Sequence, residues 1–140
     1  MVTELAATVV LQDGMRFTGK GHTAHEVQID YVPPLGGDDG FMSLELLLVS
    51  LASCGGSSVL LLLRRMGKTV EALEVQAVGK RRDEHPTVFT DIELRYSLKG
   101  DGLDAASVEK AITLSEAQYC PVWAMLKKSV AISWKYSIND

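Results

Sequence analysis

A run of eighteen residues without a charge, from Leu46 to Leu63, constrains the fold of this chain more than any other feature. Leucines dominate its two ends, whereas its centre, SCGGSS, consists of small and polar residues. The pattern predicts one helix from Ser43 to Met66. Because this helix is apolar all round, we expect it to be buried on all sides.

Cys54 lies at the centre of this helix and has three interpretations. The first is an inert core thiol, because free cysteine is among the most buried residue types. The second is a transmembrane span, for which the segment is long enough, although four serines and a Gly-Gly pair at the bilayer centre argue against it. The third is a reactive thiol in a pocket, since Ser50, Ser57 and Ser58 are neighbours of Cys54 on an ideal helix. The third interpretation needs a second functional residue elsewhere in the chain.

The composition favours a cytoplasmic globular protein. A chain of 140 residues predicts a single domain over residues 1–140, and 46% hydrophobic with 23% charged residues is typical of a folded protein. The net charge of −4, without a basic tract, argues against nucleic acid as a partner. The N-terminus carries Glu4 where a signal peptide would carry Lys or Arg. We therefore expect a cytoplasmic location with no membrane attachment.

In a cytoplasmic protein, two cysteines are more often reactive or inert than joined in a structural disulfide. They stand 66 positions apart, and together with the three histidines they match no zinc-binding spacing. The sequence therefore predicts no metal site and no cofactor.

The order of elements predicted from the sequence is βββ-α-ββ-α-α-β, an α+β fold. Alternating apolar residues and turn signals give six strands, at residues 4–11, 15–20, 25–32, 73–82, 88–98 and 129–138. Two further helices follow the second pair of strands, one starting near Asp104 and a short one starting at Pro121. One sheet of this size covers one side of the central helix, so we expect a second subunit on the other. Gly55 and Gly56 are expected near that contact, because glycine permits close approach.

Cys120 falls at a break between the last two helices. Pro121 disfavours helical geometry at the preceding residue and is well suited to the first turn of a new helix. Next to a helix N-terminus, the dipole would favour a thiolate at Cys120. A cysteine at such a break is less readily explained as core filler than one in the middle of a helix.

Four segments resemble the OsmC/Ohr family, the osmotically induced protein C and organic hydroperoxide resistance proteins, and within it the YhfA-like branch. They are Glu-Leu-Leu-Leu at residues 45–48, Ala-Ser-Cys at 52–54, Tyr-Cys-Pro-Val at 119–122 and Gly-Met-Arg-Phe at 14–17. The resemblance spans nearly the whole chain. It implies an OsmC-like fold in which two chains intertwine as a homodimer, with long central helices against curved antiparallel sheets.

The resemblance also implies thiol-based peroxidase chemistry on a small organic hydroperoxide. By analogy, Cys54 would attack the hydroperoxide and become a sulfenic acid, and Cys120 would convert it to a Cys54–Cys120 disulfide. A small dithiol or a lipoylated protein would then reduce that disulfide. Arg16, in the N-terminal hairpin, would stabilise the Cys54 thiolate.

One departure from the family concerns the glutamate that orients this arginine, ten residues before the reactive cysteine, where this chain has Leu44. Glu45 is the candidate replacement, although nine residues place it about 180° around the helix axis from Cys54. Its alternative role is a charge that favours the helix N-terminus. Two other functions stay open: a binding module that holds a small apolar or thiol ligand without turnover, and a structural protein with inert thiols.

Overall fold

The structure is a computed structural model that describes residues 3–140. It confirms the α+β class and the predicted order of elements. The helices are α1 (Ser43–Arg65), α2 (Ala105–Leu114) and α3 (Pro121–Leu126), and the strands are β1 (Thr8–Asp13), β2 (Arg16–Lys20), β3 (Glu26–Ile29), β4 (Ala72–Arg81), β5 (Phe89–Lys99) and β6 (Ala131–Ile138).

Contacts within the chain gather in two compact units, one up to Leu47 and one from Leu48 onward, and the boundary falls within α1. The prediction of one domain over residues 1–140 stays a prediction.

The first unit contains an antiparallel sheet in the order β1-β2-β3. Gly14 adopts a φ of 52° in the turn between β1 and β2, a conformation that glycine reaches without steric cost. The loop after β3 folds around Asp30, whose side chain is buried. The backbone N–H groups of Tyr31, Gly37 and Asp39 all donate to the Asp30 carboxylate, at 2.7, 3.2 and 3.1 Å.

The second unit contains a sheet in the order β4-β5-β6. The predicted inward set of β5 is buried, namely Ile92, Leu94, Tyr96 and Leu98. Strand β6 runs parallel to β5, whereas we expected antiparallel sheets throughout. The physical reason is the connection: α2 and α3 lie between β5 and β6, and a crossover of that length is what a parallel pair requires.

Helix α1 packs one face on the sheet of the second unit. Its buried residues are Leu51, Gly55, Gly56, Val59, Leu62 and Leu63. A methyl group at Gly55 would lie 3.0 Å from the Tyr96 hydroxyl oxygen, and one at Gly56 would lie 3.2 Å from Cγ2 of Val75. The close approach that the glycine pair permits within one chain is therefore to β4 and β5, and the expectation that a second subunit lies near the pair stays a prediction.

The other face of α1 is open within one chain. Val49 and Leu61 are about half exposed. By length and composition alone α1 could cross a membrane, and 33% of its most apolar window is buried. An open groove of about 460 Å³ runs between α1 and β4, lined by Val49, Ser53, Leu60 and Val75 among others. The expected burial of α1 on all sides is therefore not met by one chain.

Candidate active site: a pair of thiols

The fold brings Cys54 and Cys120 together from opposite ends of the second unit's sequence. Both are free thiols, and Cys54 is half-buried whereas Cys120 is buried. Cys54 is among the groups that raise the pKa of the Cys120 thiol, so the two thiols lie within interaction range of each other. Cys120 is therefore the candidate for the second functional residue that the third interpretation of Cys54 requires.

Cys120 owes its position to a local break in the helical chain. A π-helical turn, Ser115–Tyr119, follows α2, and the backbone of Cys120 is then extended at φ −89° and ψ 102°. The Cys120 N–H donates to the Ser115 carbonyl at 2.8 Å, and Pro121 opens α3. The Trp123 N–H donates to Sγ of Cys120 at 3.4 Å. The predicted break, with proline at the first helical position, is confirmed.

The charge state expected for Cys120 is wrong. Burial, followed by hydrogen bonding with Cys54, raises the pKa of the Cys120 thiol, and the Trp123 N–H lowers it by less. Cys120 is only 2% exposed, so the loss of hydration outweighs the favourable helix N-terminus. Cys120 is therefore a neutral thiol at pH 7.

The serines around Cys54 use their hydroxyl hydrogens within the helix. Ser58 donates to the Cys54 carbonyl at 2.9 Å, and Ser53 donates to the Ser50 carbonyl at 3.1 Å. Because these hydrogens are engaged by backbone carbonyls, the oxygens of Ser53 and Ser58 can only accept from another group. Of the three serines predicted around Cys54, Ser58 is thus an acceptor.

A small crevice is lined by residues near each cysteine in the chain, and neither cysteine is part of its wall. Its volume is about 190 Å³, and its walls are Ser57, Ser58, Leu61, Leu62, Arg65 and Tyr119. Ser57 and Ser58 stand one helical turn from Cys54, and Tyr119 directly precedes Cys120. The mixed leucine and serine lining suits a short apolar molecule that carries one polar end.

Tyr96 is the residue at this site that the sequence analysis missed. It is 1% exposed, and its hydroxyl finds no hydrogen-bond partner among the residues from 3 to 140. Burial is the main cause that raises the pKa of Tyr96, and negative charge at Cys120, Glu116 and Cys54 raises it further. The only sequence signal was a tyrosine in an otherwise aliphatic inward set, which is equally typical of a core position.

Arg16 makes its contacts within the first unit. On β2 its side chain donates to the Gln28 side-chain oxygen at 2.8 Å and to the Asp13 carboxylate at 3.3 Å. The side chain is 30% exposed, so the guanidinium is held by hydrogen bonds while part of the side chain stays in contact with solvent. Its role toward Cys54 stays a prediction.

Glu45 is exposed in the first turn of α1. Its carboxylate accepts the Met42 N–H at 2.9 Å, which satisfies a donor that the helix N-terminus leaves free. This contact matches the alternative role at the helix start, and a role in orienting Arg16 stays a prediction. Within residues 3–140, no three His, Cys, Asp or Glu side chains form a group that could hold a metal ion.

Comparison with known proteins gives matches along most of the chain. Residues 36–135 match the family model described as OsmC-like protein. The chain is similar to Protein YhfA of Escherichia coli K12, with 31% identity over 134 residues, 96% of this chain and 98% of YhfA. A crystal structure of a hypothetical protein from Aquifex aeolicus VF5 is 30% identical, with a TM-score of 0.84 over 99% of this chain and 100% of that one. An organic hydroperoxide resistance protein from Elizabethkingia anophelis shares the fold, at 18% identity and a TM-score of 0.75 over 99% of both chains.

Proposed function

The chain belongs to the OsmC-like protein family, and we propose on that premise that it is a cysteine-based peroxidase that reduces organic hydroperoxides. The observation that carries the proposal is that Cys54 and Cys120 lie near each other: Cys54 contributes to the raised pKa of Cys120, and Ser58 of α1 and Tyr119, the residue before Cys120, line one crevice. A sulfenic acid escapes irreversible oxidation when a second thiol lies close enough to condense with it. The fold shared with a protein named for organic hydroperoxide resistance supports the same substrate class.

Cys54 is the thiol that meets the hydroperoxide, since it is half-buried whereas Cys120 is buried. The Cys54 thiolate attacks the terminal oxygen of the hydroperoxide, and the O–O bond breaks. Cys54 is oxidised to the sulfenic acid, and the departing alkoxide takes a proton and leaves as the alcohol. The leucines in the crevice beside the thiols favour an alkyl hydroperoxide over hydrogen peroxide.

Cys120 resolves the sulfenic acid. Its sulfur attacks the Cys54 sulfur, a disulfide forms, and the sulfenic oxygen leaves with the Cys120 proton as water. The raised pKa of Cys120 keeps that proton on the thiol until the attack. A small dithiol or a lipoylated protein returns the two electrons by thiol–disulfide exchange.

Arg16 is the proposed cation for the Cys54 thiolate, because a neighbouring guanidinium stabilises the charged form of a thiol. Its hydrogen bonds to Gln28 and Asp13 would hold the guanidinium in one orientation. In this role Gln28 would help to orient Arg16, as a glutamate does in the family.

The proposed assembly is a homodimer in the cytoplasm. A second copy would cover the open face of α1, where Val49 and Leu61 are about half exposed. A cytoplasmic location suits a cysteine pair that works through reversible oxidation, because that compartment keeps thiols reduced.

A second candidate function is a binding module that holds a small apolar or thiol ligand without turnover. It is favoured by one observation: the position of the family's glutamate is Leu44, and the neighbouring Glu45 carboxylate is engaged by the Met42 N–H. Without an arginine oriented toward the thiols, the site would bind a ligand but would not turn it over.

The test is consumption of cumene hydroperoxide with dithiothreitol as the electron donor. Cys54→Ser should reduce consumption to the rate without protein, because the attacking sulfur is gone. Cys120→Ser should consume about one equivalent and then stop with Cys54 oxidised to sulfinic or sulfonic acid. Arg16→Met should slow consumption by about tenfold or more, since one pKa unit corresponds to a factor of ten in thiolate at equilibrium.

Ser97→Ala is the control, because Ser97 is exposed on β5 and lines neither the crevice nor the groove beside α1, so the variant should leave the rate unchanged. Wild-type consumption by the Cys54→Ser variant would contradict the proposal. A wild-type protein that binds cumene hydroperoxide and returns it unchanged would favour the binding module instead.

A further inference from the structure

We propose that the Tyr96 hydroxyl belongs to the reacting site and donates a hydrogen bond to the oxygen that Cys54 acquires from the hydroperoxide. This inference rests on the proposed peroxidase function and adds a residue to it.

The Tyr96 hydroxyl is a buried polar group in need of a partner. Its side chain is 1% exposed, and no acceptor in the described part of the chain receives its hydrogen. Buried hydroxyls in native proteins are nearly always hydrogen-bonded, so a buried hydroxyl without an acceptor needs an explanation. An unmade bond that a reaction intermediate completes is one such explanation.

The position of the hydroxyl points to Cys54. Gly55 directly follows Cys54, and a methyl group at Gly55 would lie 3.0 Å from the Tyr96 oxygen. The hydroxyl therefore reaches the backbone of α1 at the residue beside the reacting thiol. Negative charge at either Cys54 or Cys120 raises the pKa of Tyr96, so both sulfurs lie within electrostatic range of the phenol. Because burial raises that pKa as well, the phenol keeps its hydrogen at neutral pH.

The strand holds this hydroxyl in place. Tyr96 lies in β5, the central strand of its sheet, whose backbone is paired with β4 on one side and with β6 on the other. A donor fixed by neighbours on both sides costs little reorganisation when charge develops in front of it. Gly55 completes the arrangement, since any larger residue there would press on the phenol oxygen.

The hydrogen bond would act in the resolving step. When the Cys120 sulfur attacks Cys54, the S–O bond breaks and negative charge develops on the departing oxygen. That oxygen takes the Cys120 proton and leaves as water, while the S–S bond forms. Tyr96 stabilises the oxygen during this step and neither loses nor gains a proton.

The experiment follows the two half-reactions of a single turnover with cumene hydroperoxide in Tyr96→Phe. Quenched samples are trapped with dimedone, which labels the sulfenic acid, and counted by mass spectrometry. We expect conversion of the Cys54 sulfenic acid to the disulfide to slow by about tenfold or more, so that dimedone-labelled protein accumulates. Gly55→Ala, which displaces the hydroxyl without removing it, should show the same accumulation.

Two variants are matched controls. Tyr136→Phe removes a hydroxyl on the neighbouring strand that donates to Glu109 at 2.8 Å, and it should resolve at the wild-type rate. Gly56→Ala adds a methyl group toward Val75 and not toward Tyr96, so it should not accumulate the label.

Resolution at the wild-type rate in a folded Tyr96→Phe protein would overturn the inference and leave the proposed function intact. Absence of both sulfenic acid and disulfide in the wild-type protein would overturn the proposed function, and this inference with it. Because the dimedone label and the disulfide are counted separately, the two failures are distinguishable.

Discussion

At the scale of single residues, Asp30 shows how a buried carboxylate organises a loop. Its hydrogen bond from the Tyr31 N–H is the main cause that lowers its pKa, against the opposing effect of burial. The N–H groups of Asp39 and Gly37 and the charge of Arg16 lower it further. Gly36 lies directly against this carboxylate, where a side chain would not fit. The loop that follows β3 therefore depends on the charged form of one residue.

We predict that Asp30→Asn lowers the melting temperature by several degrees at pH 7, because the amide replaces a charged acceptor of three N–H groups. The folded pKa is lowered, so the stabilisation is complete above the unfolded pKa of about 3.9 and is lost as pH falls through the folded value. Thermal unfolding at pH 7 and at pH 3 should show the difference between variant and wild type shrink in acid. Asp39→Asn, an exposed carboxylate in the same loop, is the control; an Asp30→Asn effect of equal size at both pH values would contradict the account.

At the scale of elements, α1 has one face on its own sheet and one open face. The buried face carries Leu51, Val59 and Leu63, and Val49 on the open face is 49% exposed. We propose that a second copy of the chain packs on this half-exposed apolar face, because exposed apolar patches are commonly interaction sites and most oligomers join identical chains.

We predict that Val49→Glu raises the dissociation constant of the proposed homodimer by about tenfold or more, because a carboxylate would be desolvated at the proposed contact. Sedimentation equilibrium measures it. Val88→Glu is matched in charge and in exposure, since Val88 is 47% exposed on the approach to β5, and should leave the assembly unchanged. An intact dimer in the Val49→Glu protein would show that the open face of α1 has another occupant.

Local chemistry determined which features of the elements were predictable. Pro121 made the break at Cys120 predictable, because a proline disfavours helical backbone geometry at the residue directly before it. The residues of β6 do not indicate its direction, since inward and outward residues alternate identically in parallel and antiparallel strands; the predicted helical connection permits a parallel pair but does not require one. The sequence also did not show which element packs against Gly55 and Gly56. Two glycines indicate a close approach but do not identify the element that approaches.

At the scale of the whole molecule, the order of elements and the two cysteine motifs sufficed to predict the fold class and the family. Tyr96 could not be predicted as part of the site, because its role depends on a strand and a helix meeting more than forty residues apart in sequence. The raised pKa of Cys120 is of the same kind, since burial is decided by every element around the thiol. Long-range packing thus decides the chemistry of residues whose local sequence is unremarkable.

The central claim is that Cys54 and Cys120 form one redox unit, and intact-protein mass spectrometry with peptide mapping tests it most directly. The reduced protein is treated with one equivalent of cumene hydroperoxide and then with an alkylating agent after denaturation. The account predicts a loss of two hydrogens, no alkylation, and one cross-linked peptide pair that joins Cys54 to Cys120. An unchanged mass with both cysteines alkylated would contradict it.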